Sequence, residues 1–270
     1  MPSYRSSSGD PARTLALLWR EPGFGRSGRG PRQGRSVDDV VTAAIAIADE
    51  RGLDSVSMRG IGQSLGVAPM SVYTYVPGKT ELLDLMLDSI YRDLPRHPFG
   101  ATAPWRDRIG AVADANRALF RAHPWATAVT TARPPLGPGL MAKYEHELSA
   151  FDDLGLDDVT VDDALTHLLT FVRATSHAEH DVRNAELDSA LNDEQWWAAN
   201  APLLARVFDA ESYPRAARIG SATGEAHGSA YDPEHAYRFG LQQIMAGLAQ
   251  LIDEATPKSR ARRRPTARGI

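Results

Sequence analysis

The chain has no cysteine. This removes disulfides, thiolate metal ligands and a cysteine nucleophile together, and it points to a reducing compartment, read here as the cytoplasm. Long apolar runs are also missing: the longest, from Val40 to Ala48, is interrupted by Thr42 and falls far short of the roughly 20 residues that span a bilayer. No membrane association is expected, and Leu15 to Trp19 is too short to be the core of a signal peptide. There is no excess of positive charge, since 30 Lys and Arg face 34 Asp and Glu for a net −4. Taken whole, that is not a nucleic-acid binder's balance. Alternating β-branched runs with hairpin turns do not occur, so the fold class is all-α. Nor is there a Ser/His/Asp order or a Gly-rich phosphate loop behind a strand; no enzyme and no cofactor is expected. What is present is ordinary for a globular protein, 43% hydrophobic and 24% charged over 270 residues, enough to build a core without staples.

The charge is unevenly distributed. Residues 1–36 carry seven arginines against two acids, and residues 256–270 carry six basic groups and no acid. The stretch 37–94 has four basic against nine acidic residues, and 95–255 has thirteen against twenty-three. These shifts divide the chain into a basic arm (1–35), a small helical domain (36–94), a larger helical domain (95–255) and a basic tail (256–270). Both ends read as disordered, being rich in Gly, Pro, Ser and Arg. Basic arms of this kind suit phosphates or a minor groove.

Helical periodicity runs through the rest. Ser36 and Asp39 form a capping arrangement ahead of a helix at about 37–51, with Gly52 as its stop. Ser57 caps a short helix to Leu65. Gly66 breaks it, and Pro69 starts another through about Tyr75. A helix at about 79–94 ends at Pro95. Further on, Pro104 opens a helix ended by His123-Pro124. Thr160 and Asp163 suggest a second capping box for a long helix reaching about Asp188, a shorter helix covers about 193–209, and Asp232-Pro233-Glu234 opens the last helix. Residues 210–231, rich in Ala, Gly and Ser, read as a connection.

Residues 35–94 have the layout of a helix-turn-helix with a supporting helix on each side. Gly66 supplies the positive φ that the tight turn needs. The second helix of such a pair fits the roughly 12 Å major groove. It would show Pro69, Met70, Ser71, Tyr73, Thr74 and Tyr75, with Val72 and Val76 facing inward. Lys79, at the start of the next helix, could hold a phosphate.

This stretch resembles the TetR family of transcriptional regulators in Ala43-Ala44, Gly52-Leu53, Ser57-Met58-Arg59, Ile61, Leu65-Gly66-Val67, Val72 to Val76, Lys79 and Glu81-Leu82-Leu83. Gly62 stands where the family usually has Ala, which should loosen that short helix by roughly 1 kcal/mol. The resemblance implies DNA contacts from Arg35, Ser57, Arg59, Pro69, Met70, Ser71, Tyr73, Thr74, Tyr75 and Lys79. It also implies a homodimer on a palindromic operator, released by a small-molecule effector. The rival readings are an all-α enzyme or a protein-interaction module that uses the helix-turn-helix for protein contacts.

Beyond Trp105 the helix order is similar to the tetracycline-repressor type of C-terminal domain. This implies a ligand pocket and dimerisation through the two long helices, with Gly240, Ala246 and Gly247 letting the last helix approach a partner. Asn116 lies in an apolar stripe, where a buried amide must be hydrogen-bonded. With Val112, Phe120, Trp125, Met141, Tyr144, Phe171 and Thr175 it could line a pocket of aromatic walls with few polar anchors. In members that bind tetracycline with magnesium, a His precedes the Arg-Pro element. Here the stretch reads Val129-Thr130-Thr131-Ala132-Arg133-Pro134, which argues against tetracycline. His177 and His180, at i and i+3, could ligate a metal but have no evident third ligand, so no metal site is assigned.

Overall fold

The computed structural model describes residues 4–20, 35–100, 102–229 and 231–262, with side chains through residue 255. Eleven helices follow one another among these residues. The first is α1 (Pro11–Leu18). A four-helix head comes next: α2 (Val37–Arg51), α3 (Met58–Leu65), α4 (Pro69–Val72) and α5 (Lys79–Asp93). The body comprises α6 (Trp105–Ala122), α7 (Pro138–Leu148), α8 (Asp158–Ser189), α9 (Asp193–Leu204), α10 (Pro214–His227) and α11 (Pro233–Arg262). The single β-type pairing among the described residues is a parallel bridge between Arg5 and Thr130.

The head forms where local signals agree. Ser36 and Asp39 close a reciprocal capping box on α2, and Gly52 ends the helix at φ 77°. Gly66 ends α3 in the left-handed region at φ 69°. Val40, Val41, Ala44, Ile47, Ile61, Val72, Val76, Leu82 and Met86 then close one apolar core. Helix α5 belongs to head and body alike. It packs on α1, α2 and α7, and Leu82 to Asp88 are buried without interruption.

In the body, α6 and α11 both pack on α8. A buried ionic cluster joins the three: Arg117 pairs with Glu179 (3.1 Å) and Glu234 (2.9 Å), while Arg121 and Arg183 also reach Glu179. The Arg117 guanidinium lies 3.9 Å from the centre of the Tyr237 ring. Burial alone would raise the Glu179 pKa, but the hydrogen bond and charge from Arg121, with Arg117 and Arg183, hold it below the usual carboxylate range.

The structure departs from the sequence expectations in several places; α9 ends at Leu204 rather than near 209, and α11 continues to Arg262, into the expected tail. Residues 4–20 are ordered rather than part of an arm, because Asp10 caps α1 and Leu17 and Leu18 enter the core. The cap of α8 is Asp157, which accepts from the Thr160 backbone N–H, so the Thr160–Asp163 box does not form. Residues 214–227 are helical, started by Pro214 at the first turn and stopped by Gly228 at φ 67°. Helix α4 closes at Val72, three residues earlier than expected. Gly240 faces its own chain: a Cβ there would collide with the Phe171 ring of α8. The rest of the expected basic arm, 21–34, and the end of the basic tail lie outside the described residues.

Candidate nucleic-acid interface

The outer surface of the head is set by α4 and its flanks. Ala68 precedes Pro69 at the first turn, where a missing N–H is harmless, and Val72 and Val76 are fully buried beneath. This anchoring turns Met70 (74% exposed) and Tyr73 (46% exposed) outward, with Pro69 and Thr74 also exposed and Ser71 and Tyr75 half-buried. The Thr74 hydroxyl donates to the Ser71 carbonyl (2.6 Å). On α3, Arg59 is exposed in the first turn, two residues after the cap, where Ser57 Oγ accepts from the Gly60 N–H (3.1 Å).

Two of the expected phosphate contacts have other partners. Arg35 Nη2 donates to the Leu65 carbonyl (2.6 Å), bracing the end of α3 against the start of α2. Lys79 Nζ donates to the Leu53 carbonyl (3.1 Å) and sits 5.3 Å from the centre of the Tyr4 ring. The close approach at Gly62 also has a reason, since a Cβ there would stand 3.0 Å from the Val67 carbonyl and 3.3 Å from Pro69 Cα. The helix-propensity gain of an alanine would be opposed by crowding of the turn.

The residues expected around an effector are placed on several surfaces. Val112, Asn116 and Phe120 share the buried face of α6. Asn116 Nδ2 donates to Glu147 Oε1 (2.5 Å) and to the Val112 carbonyl (2.9 Å), and Lys143 pairs with Glu147 (2.7 Å), so the amide is satisfied inside an ionic cluster. Burial and the Glu147 charge push the neighbouring Tyr91 hydroxyl up to about 12. Trp125 Nε1 donates to Asp49 of α2 (2.7 Å), which joins body to head. Met141 and Tyr144 are exposed on α7, and the Tyr144 hydroxyl donates to Asp162 (2.6 Å). Phe171 stacks on Tyr237, and Thr175 donates to carbonyls of its own helix. A cavity of about 550 Å³ lies on the other face of α6, lined by Ala111, Ala115, Ala118, Phe99, His97 and His146, among others. Burial, chiefly, lowers the His146 pKa.

His177 Nδ1 lies 3.0 Å from the Thr127 hydroxyl, and His180 Nε2 lies 3.0 Å from Asn184 Nδ2. Among the described residues no group of three His, Cys, Asp or Glu side chains could hold a metal ion. Sequence reasoning missed the segment before the head. The signal was present as Asp10-Pro11, a capping pair, ahead of apolar Leu17 and Leu18, but the surrounding arginines and glycines obscured it.

Comparison with known proteins places both halves. The model for bacterial regulatory proteins of the tetR family matches residues 40–86, and that for the tetracyclin repressor-like C-terminal domain matches residues 97–252. The chain is 38% identical to the HTH-type transcriptional repressor DrrR1 of Streptomyces coeruleorubidus over 94% of this chain and 91% of that one. It is 23% identical to the class E tetracycline repressor protein of Escherichia coli over 81% and 93%. Among solved structures, apo ActR of Streptomyces coelicolor superposes with a TM-score of 0.65 at 25% identity, covering 84% of this chain and all of that one. ActR in complex with actinorhodin gives 0.64 at 26% identity, over 82% and 97%. With a reading head and a larger helical body both matched in order along one chain, the protein belongs to the TetR family of transcriptional regulators.

Proposed function

We propose that this protein is a ligand-responsive repressor that reads a palindromic operator as a homodimer, with α4 of each subunit in a major groove. One observation carries the reading: the head is built so that buried Val72 and Val76 hold Met70, Ser71, Tyr73 and Thr74 outward on a short, rigid turn of helix. In this reading Met70, Ser71 and Thr74 face base edges and Tyr73 a phosphate, with Pro69 and Tyr75 beside them. Arg59, Ser57 and the helix ends position the backbone. Arg35 and Lys79 already donate to the Leu65 and Leu53 carbonyls, which fixes the positions from which their remaining donors reach phosphates. The protein acts where the DNA is, in the cytoplasm.

The effector is held by the body against α6. The cavity beside Ala115 and Ala118 receives it, with Val112, Asn116 and Phe120 packed behind on the buried face of α6, while Trp125, Met141, Tyr144, Phe171 and Thr175 stand outside its lining. Its occupation favours a conformer whose two heads no longer match the half-site spacing. Complexes of ActR with actinorhodin and with (S)-DNPA support a small molecule in this role. The enzyme reading gains no support from the comparisons, which match transcriptional regulators over both halves of the chain.

The test is fluorescence anisotropy on the DNA upstream of the protein's own gene, against random DNA of equal length. Wild type should bind the upstream fragment at least about 100-fold more tightly than random DNA, and Tyr73→Ala should lose about tenfold or more of that. Equal binding to both DNAs, or a Tyr73→Ala variant as tight as wild type, would overturn the reading.

A further inference from the structure

Residues 4–20 are fastened at both ends to the head and in the middle to the body. At the head, the Tyr4 hydroxyl donates to Asp54 in the turn after α2, and Arg20 pairs with Asp38 in the first turn of α2. Between these points the chain runs along residues 130–136, the loop leading into α7. The Thr130 N–H donates to the Tyr4 carbonyl (2.9 Å), and the Ser6 N–H donates to the Thr130 carbonyl (3.2 Å). Ser6 Oγ donates to the Arg133 carbonyl (2.6 Å), Ser7 Oγ to the Pro134 carbonyl (2.8 Å) and Trp19 Nε1 to the Leu136 carbonyl (2.8 Å). Four carbonyls of a seven-residue loop thus accept from one segment. The Ser7 N–H donates to Asp84 of α5 (2.8 Å), and buried Leu17 and Leu18 fix α1 beside that helix.

We infer that residues 4–20 are a strap that couples the 130–136 loop of the body to the DNA-binding head and sets the angle of the head. A shift of the loop is carried by Ser6 and Ser7 to Tyr4 and Asp54, and by Trp19 to Arg20 and Asp38. Both routes end on α2 and its following turn; α3 packs on α2, and the reading helix packs on α3. The hydroxyls and the indole N–H are suited to this because each meets a backbone carbonyl, a geometry that a displacement of the loop drags along rather than slides past. The strap is a third link, beside α5 and the Asp49–Trp125 contact. Its meaning for repression rests on the operator reading above; its mechanical role does not.

The experiment reads head position directly. The chain has no cysteine, so Ser64→Cys on exposed α3 and Glu145→Cys on exposed α7 give two unique sites for spin labels, diluted into unlabelled chains. The distance distribution between them is measured without DNA. Wild type should give one narrow distribution. Ser6→Ala/Ser7→Ala/Trp19→Phe, which keeps Leu17 and Leu18, should at least double its width, and on the upstream DNA it should bind about tenfold more weakly. Tyr4→Phe/Arg20→Gln cuts the head end alone and should widen the distribution in the same way, so the result does not depend on one variant folding. A strap that only adds stability would lower the melting temperature and leave the distribution unchanged, and that outcome overturns the inference. Wild type that ignores the upstream DNA would defeat the operator reading while leaving the distance measurement intact.

Discussion

Asp84 sits fully buried on α5 with one carboxylate oxygen on the Ser7 N–H and the other without a hydrogen-bond partner among the described residues. Burial raises its pKa to about 6; the Ser7 bond opposes the shift, and Glu81 adds to it. The folded protein therefore holds this proton more tightly than the unfolded chain. The site's contribution to stability is full at acidic pH and is lost as pH rises through about 6. Asp84→Asn removes the buried charge while keeping an oxygen for Ser7. Its melting advantage over wild type should grow between about pH 4 and pH 6 and then level off at up to about 2 kcal/mol. A difference flat with pH would show that Asp84 does not titrate in this range. Single residues differ in how far the sequence reveals them. Ser36, Asp39, Gly52 and Gly66 act through neighbours three or four positions away, and the structure has them as read. Asn116 could be read as needing a partner, but Glu147 lies 31 positions away, and no local pattern names it.

Helix α7 depends on a close approach to α5 that only glycine permits. A Cβ on Gly139 would overlap the backbone carbonyl of Asp88, and one on Gly137 would overlap the Asp88 carboxylate, which already accepts from the Leu140 N–H (2.9 Å). Backbone cannot step aside as a flexible side chain can. Gly139→Ala should therefore destabilise the fold by about 3 kcal/mol, whereas alanine at Gly110 inside α6, where the added Cβ meets open space, should stabilise it by up to about 1 kcal/mol. Urea denaturation of the two variants decides this, and equal midpoints would mean that α7 has room to move. Composition misled at 210–231, where Gly and Ser drew the eye from a helix that its alanines favour. Helix α10 is rich in Ala, Gly and Ser, yet it has Pro at its start and left-handed Gly228 at its end. Its boundaries were written in the sequence more clearly than its interior.

For the molecule as a whole, the outward face of α8 and α11 is open. Thr160, Ala164, His167, Gln243, Gly247 and Leu251 line a groove there, and a Cβ on Gly247 would touch nothing. The family's dimer requires such a face, with Gly247 where two last helices would meet. Gly247→Arg should leave the helical content and the monomer's melting unchanged, convert dimer to monomer in sedimentation, and abolish tight binding to the upstream DNA. A variant that remains dimeric would move the interface elsewhere. The sequence reading anticipated this architecture because helix order survives thin identity. It could not anticipate that Gly240, assigned to the same seam, meets Phe171 of its own chain instead, since Gly240 and Gly247 share a face by periodicity and only packing decides which of them is covered.

The encirclement of α5 bears on how such proteins can be recombined. By sequence the helix closes the head, and a cut after Leu94 looks natural. Yet its buried length, Leu82 to Asp88, is enclosed by α1 and α2 on one side and α7 on the other. Head and body of this chain are thus not interchangeable modules: a head grafted from a relative brings a foreign α5 to a site shaped around Gly137 and Gly139. On the proposed operator reading, new specificities are more readily reached by changing Met70, Ser71 and Thr74 in place than by exchanging domains.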